Sequence, residues 1–150
     1  MTTITKSAFG KTKDGIETNL YTLKSDKLEF SVTDFGANIV TIKTPDAKGE
    51  VVDVALGFDS VTGYETNGSF FGACVGPSAN RIANAAFKIE DKEYKLAVND
   101  GPNNLHSDFK TGFHKRIWKL LHKLLHKIKT HTKTPGWKYK CCVCIIYSKP

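Results

Sequence analysis

Short runs of β-branched and apolar residues, separated by turn residues, cover most of the chain up to residue 108. Four such runs lie at residues 17–23, 28–33, 37–43 and 51–56. The segments between them are rich in Asp, Gly, Pro and Ser, which favour tight turns. The pattern predicts four short strands of an antiparallel β protein.

A hairpin is predicted next, because apolar residues alternate with charged ones on both sides of the charged segment 90–93. One face of this hairpin should be packed and the other exposed; its apolar residues are Phe87, Ile89, Tyr94, Leu96 and Val98. Strands at this spacing are typical of a sandwich or barrel, whose sheet needs a second layer. We therefore expect an all-β, antiparallel β-sandwich that is incomplete, since these residues form only part of it.

The pattern changes after residue 116. Apolar residues then recur at three- and four-residue spacing, as on one face of a helix: Ile117, Trp118, Leu121, Leu124, Leu125 and Ile128. Pro135 and Gly136 would end such a helix, and residues 141–147 could form a short strand. No acidic residue supports the helix by ion pairs or at its first turn. The pattern leaves the order of this tail undecided.

The net charge of +7 is unevenly distributed. Residues 110–150 hold 11 Lys/Arg and no Asp/Glu, whereas residues 1–109 hold 11 Lys/Arg and 15 Asp/Glu. The basic character, which would otherwise suggest a nucleic-acid partner, thus belongs to the tail. No apolar run approaches the ~20 residues that span a bilayer, and no secretory signal precedes the first strand. We expect a cytoplasmic protein with neither a nucleic-acid nor a membrane partner.

Cysteine and histidine spacing predicts no disulfide framework and no metal site. Cys74 is alone in the first part and has apolar neighbours, so it should be a small buried hydrophobe. His122 and His126 have the spacing of two metal ligands on one helix face, but no third ligand is fixed nearby. The tail cysteines at 141–144 lack the paired spacing of a zinc ribbon.

Three segments concentrate hydrogen-bonding side chains beside turns: residues 76–82, 99–106 and 111–118. Arginine supplies several planar donors and asparagine both donates and accepts, which suits a polyhydroxylated ligand. Histidine can move protons near neutral pH. Phe70, Phe71 and Trp118 could add apolar walls. His114 and Trp118 are better explained as packing or surface residues than as ligands.

The succession of motifs from residue 16 to residue 118 resembles the aldose 1-epimerase (galactose mutarotase) family. The motifs are Asp34-Phe35-Gly36-Ala37, Asp53 to Phe58, Tyr64, Ala79-Asn80-Arg81-Ile82, Phe87, Tyr94-Lys95-Leu96, Asn99, Asn103-Asn104-Leu105-His106, Gly112-Phe113 and Trp118. The resemblance implies a galactose mutarotase-like β-sandwich about twice this length. It also implies interconversion of the α and β anomers of free hexoses such as galactose and glucose, without a metal or organic cofactor.

By the same resemblance, Asn80 and Arg81 hold sugar hydroxyls, and His106 lies beside the ring oxygen, where it would assist catalysis. Ring opening needs a base at the C1 hydroxyl and an acid at the ring oxygen. The family's second histidine and its glutamate base match nothing in this sequence, so the chain is expected to be inactive alone. Purely structural roles are also possible for these residues: an ion pair for Arg81, a backbone hydrogen bond for His106, and a turn-shaping role for Asn80.

Two positions near these residues depart from the family pattern. Pro77 and Ser78 stand where an arginine and a hydrophobic residue are usual, and Ser107 and Asp108 replace a Gly-Gly pair. The second change is expected to alter the backbone of the loop, because glycine tolerates conformations that serine does not.

We predict that residues 1–118 are the N-terminal part of an aldose 1-epimerase domain and that residues 119–150 are a non-family tail. The acid-free composition of that tail is typical of translation in a shifted frame or through an intron. Two other functions remain: a non-catalytic carbohydrate-binding or regulatory module, and a nucleic-acid or membrane binder acting through the basic tail. Nothing in the sequence indicates the oligomeric state.

Overall fold

The computed structural model describes residues 3–76 and 78–108. The strands of this part are β1 (Thr3–Lys11), β2 (Glu17–Lys24), β3 (Glu29–Thr33), β4 (Ile39–Pro45), β5 (Val51–Asp53), β6 (Arg81–Ile82), β7 (Ala86–Ile89), β8 (Lys92–Lys95) and β9 (Asn104–Leu105). Helix α1 (Val61–Glu65) and a 3₁₀ turn (Ala83–Ala85) complete the elements described.

Strands β1 to β5 form one sheet in sequence order, and each strand is antiparallel to the next. Strands β7 and β8 form a separate hairpin, and β6 pairs with β9. The antiparallel, all-β architecture predicted from the spacing of turn residues is therefore confirmed.

The predicted strands differ from the observed ones mainly at turns. Strand β4 begins at Ile39 and not at residue 37, because Ala37 has a φ of 52° and the side-chain amide of Asn38 donates to the Phe35 carbonyl at 2.7 Å. Strand β5 ends early because the carboxylate of Asp53 accepts the Ala55 N–H at 3.0 Å, which closes a turn. Strand β1 was not predicted.

Helix α1 packs over one face of the five-stranded sheet. Its residues Val61 and Tyr64 are buried against Phe9, Phe35 and Val40. Buried tyrosine hydroxyls need hydrogen-bond partners. The hydroxyl of Tyr64 donates to the Ile39 carbonyl at 3.0 Å and accepts the Phe58 N–H at 3.3 Å. Burial raises the pKa of Tyr64. This contact ties the helix to β4.

The segment that leads from α1 toward the candidate site is also anchored on β4. The Ile39 N–H donates to the Gly72 carbonyl at 2.8 Å. Gly72 has a φ of 67°, and a Cβ there would clash with the Ile39 carbonyl. Cys74 is buried, as predicted, and its thiol also donates to the Ala37 carbonyl at 3.0 Å. These contacts fix the start of the loop that carries Asn80.

The prediction that one face of the β7–β8 hairpin is packed is wrong for the described residues. Phe87 is 37% exposed, Tyr94 is 36% exposed and Ile89 is 56% exposed. The rings of Phe87 and Tyr94 stack on each other, with centroids 5.2 Å apart and planes inclined by 10°. No second layer of described residues covers this face. The alternation of apolar and charged residues therefore predicted the hairpin correctly but not its burial.

Several predictions fall outside the described residues. They concern the helix at 117–128, the strand at 141–147, the cluster at 111–118 with His114 and Trp118, the histidines 122 and 126, and the tail cysteines. Within the described part, no helix is long and apolar enough to cross a membrane. That part also contains no group of three or more His, Cys, Asp or Glu side chains able to hold a metal ion.

Candidate functional site

Two loops that are about 25 residues apart in sequence meet at the β6–β9 pair. In this pair Arg81 lies opposite Leu105, and Ile82 lies opposite Asn104. Asn80 directly precedes β6 and His106 directly follows β9, so antiparallel pairing places these two residues opposite each other. The structure thereby brings together Asn80, Arg81 and His106, the three residues singled out in the sequence.

Asn80 and His106 are joined by two hydrogen bonds. The Asn80 N–H donates to Nδ1 of His106 at 3.0 Å, and the His106 N–H donates to the Asn80 carbonyl at 3.1 Å. A ring nitrogen that accepts a hydrogen bond carries no proton, so the neutral imidazole holds its proton on Nε2. Both residues have left-handed backbones, with φ of 61° for Asn80 and 54° for His106.

Arg81 is held by a neighbouring carboxylate. Its Nε donates to Oδ2 of Asp100 at 2.6 Å, and its Nη1 lies 3.4 Å from Oδ1 of Asn80. The side chains of Arg81 and Asp100 are 56% and 33% exposed. A guanidinium has five N–H donors in a rigid fork, so fixing Nε orients its remaining donors. Half-exposed, these donors can reach a ligand at the surface.

Two asparagines hold the loop that carries His106. The side chain of Asn99 accepts the Leu105 N–H at 2.6 Å and donates to the carbonyls of Leu105 at 2.9 Å and Ser107 at 2.8 Å. The Asn104 amide is buried and donates to the carbonyls of Ala97 at 2.8 Å and Ser107 at 2.9 Å. Its Oδ1 finds no donor among the described residues. Side-chain amides thus replace a regular ladder in shaping this loop.

One of the predicted aromatic walls lies beside the imidazole. The ring of Phe70 meets that of His106 edge to face, with centroids 6.1 Å apart. The ring of Phe71 instead stacks on Phe58 at 5.9 Å, against the core. Trp118 lies outside the described residues. Phe70 can therefore contribute apolar surface to a ligand at His106, and Phe71 stabilises the fold.

The structural roles considered for these three residues are also observed. Arg81 has an ion pair, His106 has a backbone hydrogen bond, and Asn80 shapes a turn with a positive φ. Among the described residues, these contacts leave other donors of the same side chains unpaired, so they are compatible with a ligand. The role of Asp100 was missed, since it lies in an Asn-Asp-Gly-Pro run that indicates only a loop.

An open cavity of about 490 Å³ lies next to this cluster. Its lining is mostly apolar and consists of Ser78, Ile82, Phe87, Leu96, Ala97, Asn104, Ser107 and Asp108. None of the three residues singled out in the sequence lines it. A hexose presents hydroxyls all round its ring, so the polar surface at Asn80, Arg81 and His106 fits a sugar better than this cavity does.

Comparisons with known proteins identify the family of the chain. The family model described as aldose 1-epimerase matches residues 19–148. Galactose mutarotase of Bos taurus is 42% identical over 119 residues, which cover 79% of this chain and 34% of that protein. Aldose 1-epimerase of Escherichia coli K12 is 32% identical over 109 residues, covering 72% of this chain and 31% of that protein. The chain thus spans about a third of the length of these relatives.

Solved structures show the same likeness. An aldose epimerase homologue from C. elegans superposes with a TM-score of 0.59 at 33% identity, covering 63% of this chain and 29% of the other. Galactose 1-epimerase from Lactobacillus acidophilus superposes with a TM-score of 0.60 at 25% identity, covering 79% and 33%. The matched sequence, the antiparallel sheets and the shared fold agree: the chain belongs to the aldose 1-epimerase family.

Proposed function

We propose that this chain binds free hexoses such as galactose and glucose through Asn80, Arg81 and His106. The observation that carries the proposal is the pairing of Asn80 with His106, which leaves Nε2–H as the donor of a neutral imidazole. The amide of Asn80 and the guanidinium of Arg81 add donors and an acceptor on the same surface. Membership of the aldose 1-epimerase family supports a sugar as the ligand.

The reaction in which this site takes part is the interconversion of α and β anomers. A base removes the C1 hydroxyl proton, an acid protonates the ring oxygen, and rotation about C1–C2 precedes reclosure. In this scheme His106 lies beside the ring oxygen and assists there with its Nε2–H. Arg81 and Asn80 hold ring hydroxyls, so that the ring oxygen stays within reach of the imidazole.

We further propose that the chain by itself binds hexose without accelerating anomer exchange. Acid–base catalysis of ring opening needs two groups with complementary roles. Asp100, the carboxylate of this cluster, is engaged by Arg81 at 2.6 Å. That ion pair favours the role of Asp100 in orienting the guanidinium over a role as the base.

Binding and catalysis can be measured separately on the full chain. Titration with galactose and with glucose, followed by NMR, should shift the resonances of residues 80, 81 and 106, with dissociation constants in the millimolar range. Arg81→Ala should abolish these shifts. Lys11→Ala is the matched control, because Lys11 forms a remote, exposed pair with Glu17 at 3.3 Å.

Polarimetry of fresh α-glucose or α-galactose then reports catalysis. We expect the same rate of mutarotation with and without the chain. A faster rate would contradict the proposed inactivity. Absence of any sugar-induced shift in the folded chain would contradict the proposed binding.

A further inference from the structure

Ser78 and Ser107 form a second connection between the two loops that carry Asn80 and His106. Oγ of Ser107 lies 2.9 Å from Oγ of Ser78, 3.3 Å from its backbone nitrogen and 3.3 Å from its carbonyl oxygen. A hydroxyl has one proton and two lone pairs. Ser107 can accept from the N–H and the hydroxyl of Ser78 and donate to its carbonyl, so one residue uses its full hydrogen-bonding capacity.

The backbone at Ser107 is held in a conformation that serine does not prefer. Its φ is 69°, and it follows directly on His106 with a φ of 54°. Left-handed residues other than glycine persist only where surrounding contacts over-determine them. At Ser107 these contacts are the hydroxyl network with Ser78 and the amides of Asn99 and Asn104, which donate to its carbonyl at 2.8 and 2.9 Å.

We propose that Ser78 and Ser107 are positioning residues for His106. The imidazole is held on one side by the Asn80 N–H at 3.0 Å. The next peptide along the chain is held by the serine pair at 2.9 Å. With both connections made, the ring keeps Nδ1 on Asn80 and Nε2–H as its donor. Without the serine pair, residue 107 can leave its left-handed conformation and carry His106 away from Asn80.

The importance of this positioning for sugar binding rests on the proposed function of His106. The effect of the serine pair on the tautomer of His106 does not depend on that proposed function, and the tautomer can be measured in the absence of sugar. Long-range ¹H–¹⁵N spectra of the full chain distinguish Nδ1 from Nε2 in a neutral imidazole. His106→Gln identifies the resonances, because the chain has five histidines.

Ser107→Ala is the decisive variant, because alanine keeps the Cβ and the unfavourable φ of 69° and only the hydroxyl is lost. We expect its His106 nitrogens to shift toward a mixture of both tautomers, and its hexose affinity to fall about five-fold. Ser78→Ala should act in the same direction, whereas Ser78→Thr keeps a hydroxyl and should restore the parent spectrum. Ser60→Ala is the control, since Ser60 makes no side-chain cap hydrogen bond at α1.

An unchanged tautomer signature in folded Ser107→Ala or folded Ser78→Ala would overturn the proposal. Circular dichroism establishes that each variant is folded, and Ser78→Ala decides the matter if Ser107→Ala is not folded. If no variant and no parent chain binds hexose, the proposed function fails while the tautomer measurement still decides the role of the serine pair.

Discussion

Asn80 and His106 exchange two hydrogen bonds across the ends of β6 and β9, one from each backbone N–H, at 3.0 and 3.1 Å. The first of them uses Nδ1 of the imidazole as the acceptor. The contact therefore sets both the position of the ring and which nitrogen carries the proton. Because it comes from the backbone of Asn80, it survives any substitution of the Asn80 side chain that keeps the left-handed conformation.

Asn80→Gly and Asn80→Ala separate the two roles of Asn80. Glycine tolerates the φ of 61°, whereas alanine there should lower the free energy of unfolding by about 1 kcal/mol. Both variants lose the amide, so hexose affinity should fall in both. Urea denaturation and NMR titration measure the two effects. If Asn80→Gly binds galactose as tightly as the parent chain, Asn80 shapes the turn and does not contact the sugar.

Asp100→Asn tests whether the ion pair with Arg81 orients the guanidinium. The pair is short, at 2.6 Å, but partly exposed, so stability should change by less than about 1 kcal/mol. Hexose affinity should fall several-fold, because Arg81 is then free to adopt other rotamers. Glu17→Gln is the matched control, since it removes a carboxylate from the remote Lys11 pair. Equal affinities in both variants would contradict an orienting role for Asp100.

Gly72→Ala should be severely destabilising. A Cβ at this position meets the Ile39 carbonyl, and the φ of 67° is itself unfavourable for alanine. We expect a loss of about 3 kcal/mol or more, as for backbone clashes in packed regions. Gly49→Ala isolates the conformational part, because Gly49 has a φ of 87° but open space around it. It should cost about 1 kcal/mol. Similar losses of stability in both variants would contradict tight packing of Gly72 against Ile39 of β4.

Glu29 gives the sheet a specific pH dependence. Its carboxylate lies 3.1 Å from Nζ of both Lys24 and Lys43 on the neighbouring strands, and hydrogen bonds from these lysines hold its pKa below the usual range. As the pH falls, Glu29 is therefore protonated in the unfolded chain before it is protonated in the folded chain. The contribution of Glu29 to stability is complete above about pH 4.3 and is lost as the pH falls through its lower folded pKa.

Glu29→Gln removes this dependence. Denaturation of the parent chain and the variant at several pH values should show a difference of up to about 1 kcal/mol at neutral pH that disappears in acid. Lys24 and Lys43 remain in both proteins, so the difference reports the carboxylate alone. A difference that stays constant down to pH 2 would contradict this assignment.

The strands in the middle of the sheet could be predicted because their signals are local. Strand β2 begins at Glu17 as expected, and β3 lies within one residue of its predicted start. Strand β1 was missed, because its polar residues and the bulge between Ala8 and Gly10 blur the alternation. Pairing with β2 makes it a strand, and the sequence of β1 alone does not encode that partner.

The hairpin shows the limit of alternation as a predictor of burial. Phe87 and Tyr94 alternate with charged residues and form the expected β7–β8 pair, yet both remain over a third exposed. Periodicity specifies which residues share a face of the hairpin. Whether another layer covers that face depends on which residues pack against it, and the alternation pattern carries no information about them.

The candidate site divides in the same way. The sequence by itself determined the residue types: an arginine, an asparagine and a histidine in a family motif, each beside a turn. Only the tertiary structure decided that β6 and β9 pair, that Asp100 holds Arg81, and that Ser78 meets Ser107. These contacts join residues 19 to 29 positions apart. Local propensity acts over a few neighbours, so such contacts arise only once the chain has folded back on itself.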